Sequence, residues 1–269
     1  MATEDLKYTV ERDGDMLKLA DSDGLILYSR NENTLYQDYH GRYLYSHYDL
    51  CSTPPKKFIT CNQHKDNLNN IRVADQSLRR LRNVMPIKLG DVVVEAGAYQ
   101  GFGTVKISQT VGEAGLVVAI EADPKNYEVL VRNIEANNIK NVIPVNVGVW
   151  SEGGKIPLYS KGSQRRSLVK SLLKSEESAL IDVNTIDNIL DDAGVNNIDF
   201  LTLEVNSAEA AALRGLRRRL SGNHPMRIVS AGWYKDSSGV LGASSVISEL
   251  KKYSFSTFLG VRKRVYAYR

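Results

Sequence analysis

The sequence predicts an α/β protein: a Rossmann-like, doubly wound seven-stranded sheet with an antiparallel C-terminal strand, preceded by a small β-rich N-terminal extension. Three observations predict it. The apolar runs Val92–Val94 and Leu116–Ile120 read as parallel strands covered on both faces, with a glycine-punctuated turn and a helix between them. Strand and helix patterns then keep alternating as far as Tyr253. The last two β segments, Phe255–Gly260 and Arg262–Tyr268, have no helix between them, and strands joined by a tight turn must pair antiparallel. At 269 residues the chain has room for one large domain with an appendage or for two small domains; the first is the expectation, with the boundary placed between residues 1–70 and residues 71–269.

The elements follow in order. Asp13-Gly14 and Asp23-Gly24 break short β segments between Tyr8 and Tyr28, a hairpin signature. Residues 31–49 carry Tyr36, Tyr39, Tyr43, Tyr45 and Tyr48 interleaved with His40, Arg42 and His47, a stretch suited either to packing on the main domain or to stacking on a polar ring. Pro54-Pro55 and the polar run Asn62–Asn70 read as a linker, and Val73–Val84 as a helix. After the first two parallel strands, Pro124 opens a helix carrying Tyr127, Leu130, Ile134 and Ala136, and Val142–Val149 reads as one strand. Lys155–Tyr159 is a candidate added strand, and Lys161–Lys174 a polar, basic loop with the character of a lid. Val183–Val195 reads as strand then helix, Ile198–Val205 as the fourth parallel strand, Ala208–Leu220 as one helix, Arg227–Trp233 as the fifth strand and Val240–Tyr253 as a further helix.

The first strand-helix-strand unit carries a cofactor expectation. Glu95, Gly97, Tyr99 and Gly101 lie in the turn after the first strand, and the second strand delivers Glu121 and Ala122 at its carboxyl end. A carboxylate there can accept hydrogen bonds from both hydroxyls of a ribose. A nicotinamide dinucleotide would need the spacing G-x-G-x-x-G, with pyrophosphate on the helix N-terminus, and this turn reads Gly97-Ala98-Tyr99-Gln100-Gly101-Phe102-Gly103. Glu95 would repel a pyrophosphate but favours a sulfonium cofactor that carries an ammonium group. The expected cofactor is therefore S-adenosyl-L-methionine, with S-adenosyl-L-homocysteine as product. Asn146 and Gly148, at the end of the third strand, are placed near its adenine ring.

Ligands of such folds sit at the carboxyl ends of the strands, which nominates Glu204 and Asn206 after strand four and Trp233, Tyr234 and Lys235 after strand five. Glu204, Asn206 and Lys235 are the catalytic candidates. Glu204 also belongs to the cofactor set, and it reads either as a base or acceptor-positioning acid or as a cap on the helix near Ala208. Asp187 reads as a residue that caps or starts a helix, and His224, before a proline, as a loop residue.

Composition excludes more than it identifies. Cys51 and Cys61 are the only cysteines, and with His47 and His64 they match no usual zinc spacing, so no metal is expected. No apolar run approaches about 18 residues, and the N-terminus lacks a signal-peptide layout, so the cytoplasm is the expected location and no membrane partner is expected. The net charge is +4, with clusters at Arg165-Arg166, Arg214 with Arg217–Arg219, and Arg262–Arg264. The second keeps leucines at helical spacing with arginines turned outward, which is a solvated face more than a nucleic-acid stripe. A homo-oligomer is compatible with these features.

Three blocks resemble the FkbM methyltransferase family, most clearly between Leu89 and Leu216: VVVEAGAYQGFGT, VVAIEADPKNYEVLVRNIEANNIKNV and TIDNILDDAGVNNIDFLTLEVNSAEAAALRGL. The resemblance implies a class I fold, S-adenosylmethionine as cofactor and methyl transfer, with O-methylation of a small polar molecule or sugar as the expected reaction. The chain departs from the family pattern at Thr202, usually lysine, at Glu204, usually aspartate, at Asn206-Ser207, usually glutamate-glycine, and at Tyr99, usually asparagine, while Glu209 is kept. The alternatives are methylation of a nitrogen or of RNA, and a cofactor-binding protein of this fold without transfer activity.

Overall fold

The computed structural model describes residues 8–21, 24–30, 86–161, 165–168, 178–235, 239–260 and 263–269. Strands β1 (Tyr8–Asp13), β2 (Met16–Asp21) and β3 (Ile26–Ser29) form a small antiparallel sheet. The chain continues through β4 (Val92–Ala96), α1 (Phe102–Val111), β5 (Leu116–Glu121), α2 (Pro124–Ala136) and β6 (Val142–Asn146). An inserted block of four short strands follows: β7 (Gly148–Val149), β8 (Gly154–Lys161), β9 (Arg165–Ser167) and β10 (Ser178–Asn184). Then come α3 (Ile186–Asp192), β11 (Phe200–Leu203), α4 (Glu209–Arg214), α5 (Arg217–Ser221), β12 (Arg227–Ser230), α6 (Gly242–Lys251), β13 (Ser256–Leu259) and β14 (Val265–Tyr268).

The seven-stranded sheet has the order β13-β14-β12-β11-β4-β5-β6. Strand β14 runs antiparallel to both of its neighbours, as the helix-free connection requires. Side chains alternate across the sheet, so Val94, Ala96, Val118, Ile120, Leu201 and Leu203 pack with α3 to α6 on one face. Val93, Val117, Ala119 and Phe200 pack with α1 and α2 on the other. Both faces are covered, which is why these strands read as unbroken apolar runs. The strand order reverses between β4 and β11, and ligands of open α/β sheets bind at that place.

The amino-terminal sheet docks on α2 through two side-chain amides one helical turn apart. Asn133 accepts from Tyr28 N at 2.6 Å and donates to Tyr28 O at 3.1 Å. Asn137 does the same with Ile26, at 3.0 and 2.6 Å. Helix spacing on α2 thus meets the two-residue period of β3, and the amides satisfy that strand's backbone as a neighbouring strand would. Leu19 and Leu27 bury Phe102 at the start of α1, so this sheet roofs the helix that leaves the first turn.

Several expectations are corrected. Val142–Val149 is not one strand: β6 follows β5 as far as Asn146, and Gly148-Val149 crosses to pair parallel with Val183-Asn184 in the inserted sheet. Gly148 permits the crossing, because a Cβ there would stand 2.9 Å from Val183 Cγ1. Within the expected loop Lys161–Lys174, β9 is a strand paired with β8. The helix expected over Ala208–Leu220 is divided at Gly215-Leu216, where Gly215 lies so close to Trp150 that a Cβ would meet its carbonyl oxygen at 2.2 Å. The carboxylate of Asp187 then caps the second piece, accepting from Arg218 N at 2.8 Å. Arg219 is not turned outward: its side chain is 10% exposed and its guanidinium pairs with Asp187 and Asp191, both at 3.0 Å. The tyrosine-rich stretch, both cysteines, the expected helix Val73–Val84 and the boundary at residue 70 lie outside the described residues.

Candidate functional site

The turn after β4 is held against the end of β5. Gly97 N and Ala98 N both donate to Ile120 O, at 2.9 and 3.0 Å. Gly97 has φ +89°, and its α-carbon presses on β11: a Cβ would stand 2.3 Å from the Glu204 carbonyl oxygen. Gly101 closes the turn as the N-cap of α1, packed against Leu130. Tyr99 takes φ +54°, and its N–H donates to Glu121 Oε2 at 2.8 Å. The other oxygen of Glu121 accepts from Asp123 N at 2.9 Å, so one carboxylate ties together the turns that follow β4 and β5. Asp123 in turn caps α2 through Lys125 N, with Pro124 in the first turn.

These turns open on a cleft of about 440 Å³, part of it open to solvent. Gly97, Ile120, Glu121 and Ala122 line it from β4 and β5, and Glu204, Val205 and Asn206 from the end of β11. Val147, Val149, Leu158, Ser167 and Leu168 supply the wall from the inserted block. Of the residues nominated from sequence, Gly97, Glu121, Ala122, Glu204 and Asn206 therefore meet in one place.

The others stand apart from it. Glu95 is buried beneath the turn and accepts from Thr104 Oγ1 at 2.5 Å. Asn146 is exposed and supports Glu121 from behind, donating to its carbonyl at 2.9 Å. Gly148 is a packing glycine flanked by the lining residues Val147 and Val149. Lys235 is exposed in an isolated bridge to Leu241, outside the lining. His224 lies at the opposite, amino end of the strands, where it faces Asp199 at 3.0 Å just before β11.

Glu204 is not a helix cap. Helix α4 has no side-chain cap, and Glu209 in its first turn instead fastens the preceding loop, its Oε1 accepting from Val205 N at 3.2 Å. Glu204 lines the cleft and is paired with Arg264, whose guanidinium lies 5.4 Å from the centre of the Trp233 ring. Arg264 was visible only as one member of a basic cluster. Leu158, Ser167 and Leu168 carried no signal for a site, because only the return of the inserted sheet over the strand ends brings them there.

The site is acidic. Burial pushes the Glu95 carboxyl up to about 8, against the Thr104 hydrogen bond, with Glu204 and Glu121 adding repulsion. Burial likewise raises Glu121 to about 7, offset by the Asp123 and Tyr99 amides. Glu209 is raised to about 7 by burial, offset by backbone amides of the loop. Thr202 is in register with Glu95 on β4, so a small neutral side chain stands where the resembled family carries lysine. Each of these acids is raised above its unfolded value, so the folded state holds more protons between roughly pH 4.5 and pH 8. Their contribution to stability is full below about 4.5 and is lost as pH rises through 7 to 8. The ligand-free protein is expected to melt several degrees lower at pH 8.5 than at pH 5.5, with a smaller difference in Glu95→Gln, measured by calorimetric scans across that range.

Asn206 and Ser207 adopt left-handed backbone in succession, with φ +48° and +82°. Ser207 Oγ is buried without a hydrogen-bond partner. Glycine accepts this φ freely, and a lone buried hydroxyl costs about 1 kcal/mol or more. Ser207→Gly is expected to stabilise the protein by about 1 kcal/mol after the greater chain entropy of glycine is set against it, read from urea unfolding midpoints.

A doubly wound sheet with one reversed strand, and an acid-lined cleft at its switch point, is the architecture of a class I methyltransferase. Residues 95–256 match the methyltransferase FkbM domain, and the chain belongs to that family. The protein is a methyltransferase whose cofactor is S-adenosyl-L-methionine. No curated protein matches the chain significantly. Among solved structures, a SAM-dependent methyltransferase from Aquifex aeolicus is similar at 14% identity and a TM-score of 0.42, over 76% of this chain and 98% of that one. Aeropyrum pernix fibrillarin with natively bound S-adenosyl-L-methionine shares 13% identity and a TM-score of 0.45, over 98% and 99% of the two chains. The O-methyltransferase from Bacillus cereus in complex with SAH shares 11% identity and a TM-score of 0.40, over 88% and 90%. Among the described residues no helix is long and apolar enough to cross a membrane, and no group of three or more His, Cys, Asp or Glu is placed to hold a metal.

Proposed function

We propose that the cleft holds S-adenosylmethionine and that the protein methylates a hydroxyl of a small polar molecule or sugar. The residues fit the cofactor. Gly97 lets the turn close against the Glu204 backbone at the cleft lining, Glu121 presents a carboxylate for the ribose hydroxyls, and the local excess of acid favours a sulfonium and an ammonium over a pyrophosphate. When bound, the cofactor supplies an electrophilic methyl, so the protein's part is positioning, exclusion of water and care of one proton.

The observation that carries the acceptor assignment is Glu204 on the cleft lining, with its Oε1 held by Arg264 and Asn206 beside it. The carboxylate can accept the hydrogen bond of an acceptor hydroxyl. Methylation of that hydroxyl would release its proton, and Glu204 would be the group placed to accept it. Two arginines of the central basic cluster, Arg218 and Arg219, are engaged with Asp187 and Asp191, which counts against an RNA stripe.

The test is transfer of isotope-labelled methyl from S-adenosylmethionine to panels of sugars, small alcohols, amines and RNA. A methyl ether is the expected product, whereas label found only on amines, or only on RNA with a steep salt dependence, would overturn the acceptor assignment. Glu204→Gln is expected to lower turnover by about a hundredfold while changing cofactor affinity less than about tenfold.

A further inference from the structure

The turn that follows β4 is also held from α2. Gly97 and Ala98 are fastened to Ile120 and Tyr99 to Glu121, and the next residue, Gln100, accepts at its backbone carbonyl from Asn133 Nδ2 at 2.7 Å. Asn133 is fully buried, and its amide works in two directions. The oxygen accepts from Tyr28 N at 2.6 Å, while the nitrogen donates to Tyr28 O at 3.1 Å as well as to Gln100 O. Both donors are used, and turning the amide over would set N–H against N–H at Tyr28, so one orientation is fixed. Between the anchors at Glu121 and Asn133 stands Tyr99, with φ +54°. A residue with a Cβ keeps such a left-handed backbone only where its surroundings impose it.

Asn137 provides the contrast. Its amide docks Ile26 of the same strand, and its nitrogen also donates to Asn133 O at 2.8 Å, so these bonds stay within β3 and α2. Docking of the amino-terminal sheet does not depend on Asn133 alone, because Asn137, the Arg132–Asp13 ion pair and the Arg30–Glu128 pair at 2.6 Å also hold it. The bond to Gln100 is what distinguishes the two amides.

We propose that Asn133 is a positioning residue for the cofactor. By holding the Gln100 carbonyl it keeps the Tyr99 turn in the conformation that presents the Gly97 backbone and the Glu121 carboxylate to the cleft. The amino-terminal sheet shares the same amide and is thereby part of the support of the cofactor site. The proposal rests on the reading that S-adenosylmethionine occupies this cleft. A turn that is competent for only a fraction of the time binds with an affinity reduced by that fraction. By reciprocity, bound cofactor must stabilise the bond between Asn133 and Gln100.

The test is calorimetric titration of S-adenosylmethionine into the full chain, into Asn133→Ala and into Asn137→Ala, with urea unfolding of each. Both substitutions should lower the unfolding midpoint, since each withdraws an amide that docks β3. Asn133→Ala should weaken cofactor binding about tenfold or more, and Asn137→Ala less than about threefold. If Asn133→Ala does not fold, hydrogen exchange in the unaltered protein makes the comparison. There S-adenosylmethionine should slow exchange of the Asn133 side-chain amide protons by a factor about tenfold larger than at Asn137, the same coupling seen from the other side. Affinities of the two variants within about threefold of each other, or equal slowing at the two amides, would overturn the positioning role while leaving the cofactor site intact. Failure of the unaltered protein to bind S-adenosylmethionine would overturn the cofactor reading and the positioning role with it.

Discussion

Gly97→Ala is expected to abolish cofactor binding and to lower stability by about 3 kcal/mol. The added Cβ would stand 2.3 Å from the carbonyl oxygen and 2.9 Å from the carbonyl carbon of Glu204. Both are backbone atoms, and the segment cannot withdraw easily because Glu204 N is hydrogen-bonded to Ala96 O at 3.0 Å. Overpacking of this kind costs about 1 to 3 kcal/mol, and a φ of +89° adds about 1 to 2 kcal/mol for any residue with a Cβ. Relief of the clash must part β4 from β11 at the switch point, which is where the cleft opens. Urea unfolding and cofactor titration of the variant check both halves of this expectation, and a stability within about 0.5 kcal/mol of the unaltered protein would contradict the packing at the turn.

Glu121→Ala is expected to weaken cofactor binding by a hundredfold or more. The substitution removes the acceptor facing the cleft, and it also leaves Tyr99 N and Asp123 N without the oxygens that hold the two turns. Hydrogen bonds to a charged group contribute about 1.5 to 3 kcal/mol each, so the loss of two accounts for a factor of that size. The pH dependence sharpens the prediction. Burial raises the Glu121 carboxyl to about 7, so the ionised form is the minority at pH 6 and the majority at pH 8. Affinity for the cationic cofactor should therefore rise across that interval in the unaltered protein and stay nearly flat in Glu121→Gln. Isothermal titrations at several pH values read both effects.

The parts of the fold that follow from period and punctuation were legible in the sequence. The unbroken apolar runs Val92–Val94 and Leu116–Ile120 predict strands covered on both faces, Asp123-Pro124 starts a helix, and the close succession of the last two β segments predicts the reversed strand. What stayed hidden depends on contacts between distant segments. The break after Asn146 comes from the approach of β10 to Gly148, and nothing local to residues 142–149 announces it. The division of the helix at Gly215 depends on Trp150, and the burial of Arg219 depends on two aspartates more than 25 residues earlier.

The site divides in the same way. Gly97, Glu121 and Ala122 belong to a single strand-helix-strand unit whose spacing fixes their meeting, and Glu204 and Asn206 follow from the carboxyl-end rule. Ser167, Leu158 and Leu168 reach the cleft, and Arg264 reaches Glu204 on its lining, only through tertiary folding. Lys235 illustrates the limit of the rule itself. It follows β12 in sequence, but its backbone bridges Leu241, and proximity to a strand end did not bring it to the cleft lining.

The measurement that tests the account most directly is calorimetric titration of the purified protein with S-adenosylmethionine, with NAD titrated in parallel. Micromolar binding of S-adenosylmethionine with one site per chain, and no heat from NAD, is the predicted result. Binding of NAD in its place, or of neither, would contradict the assignment of this acidic cleft to a sulfonium cofactor.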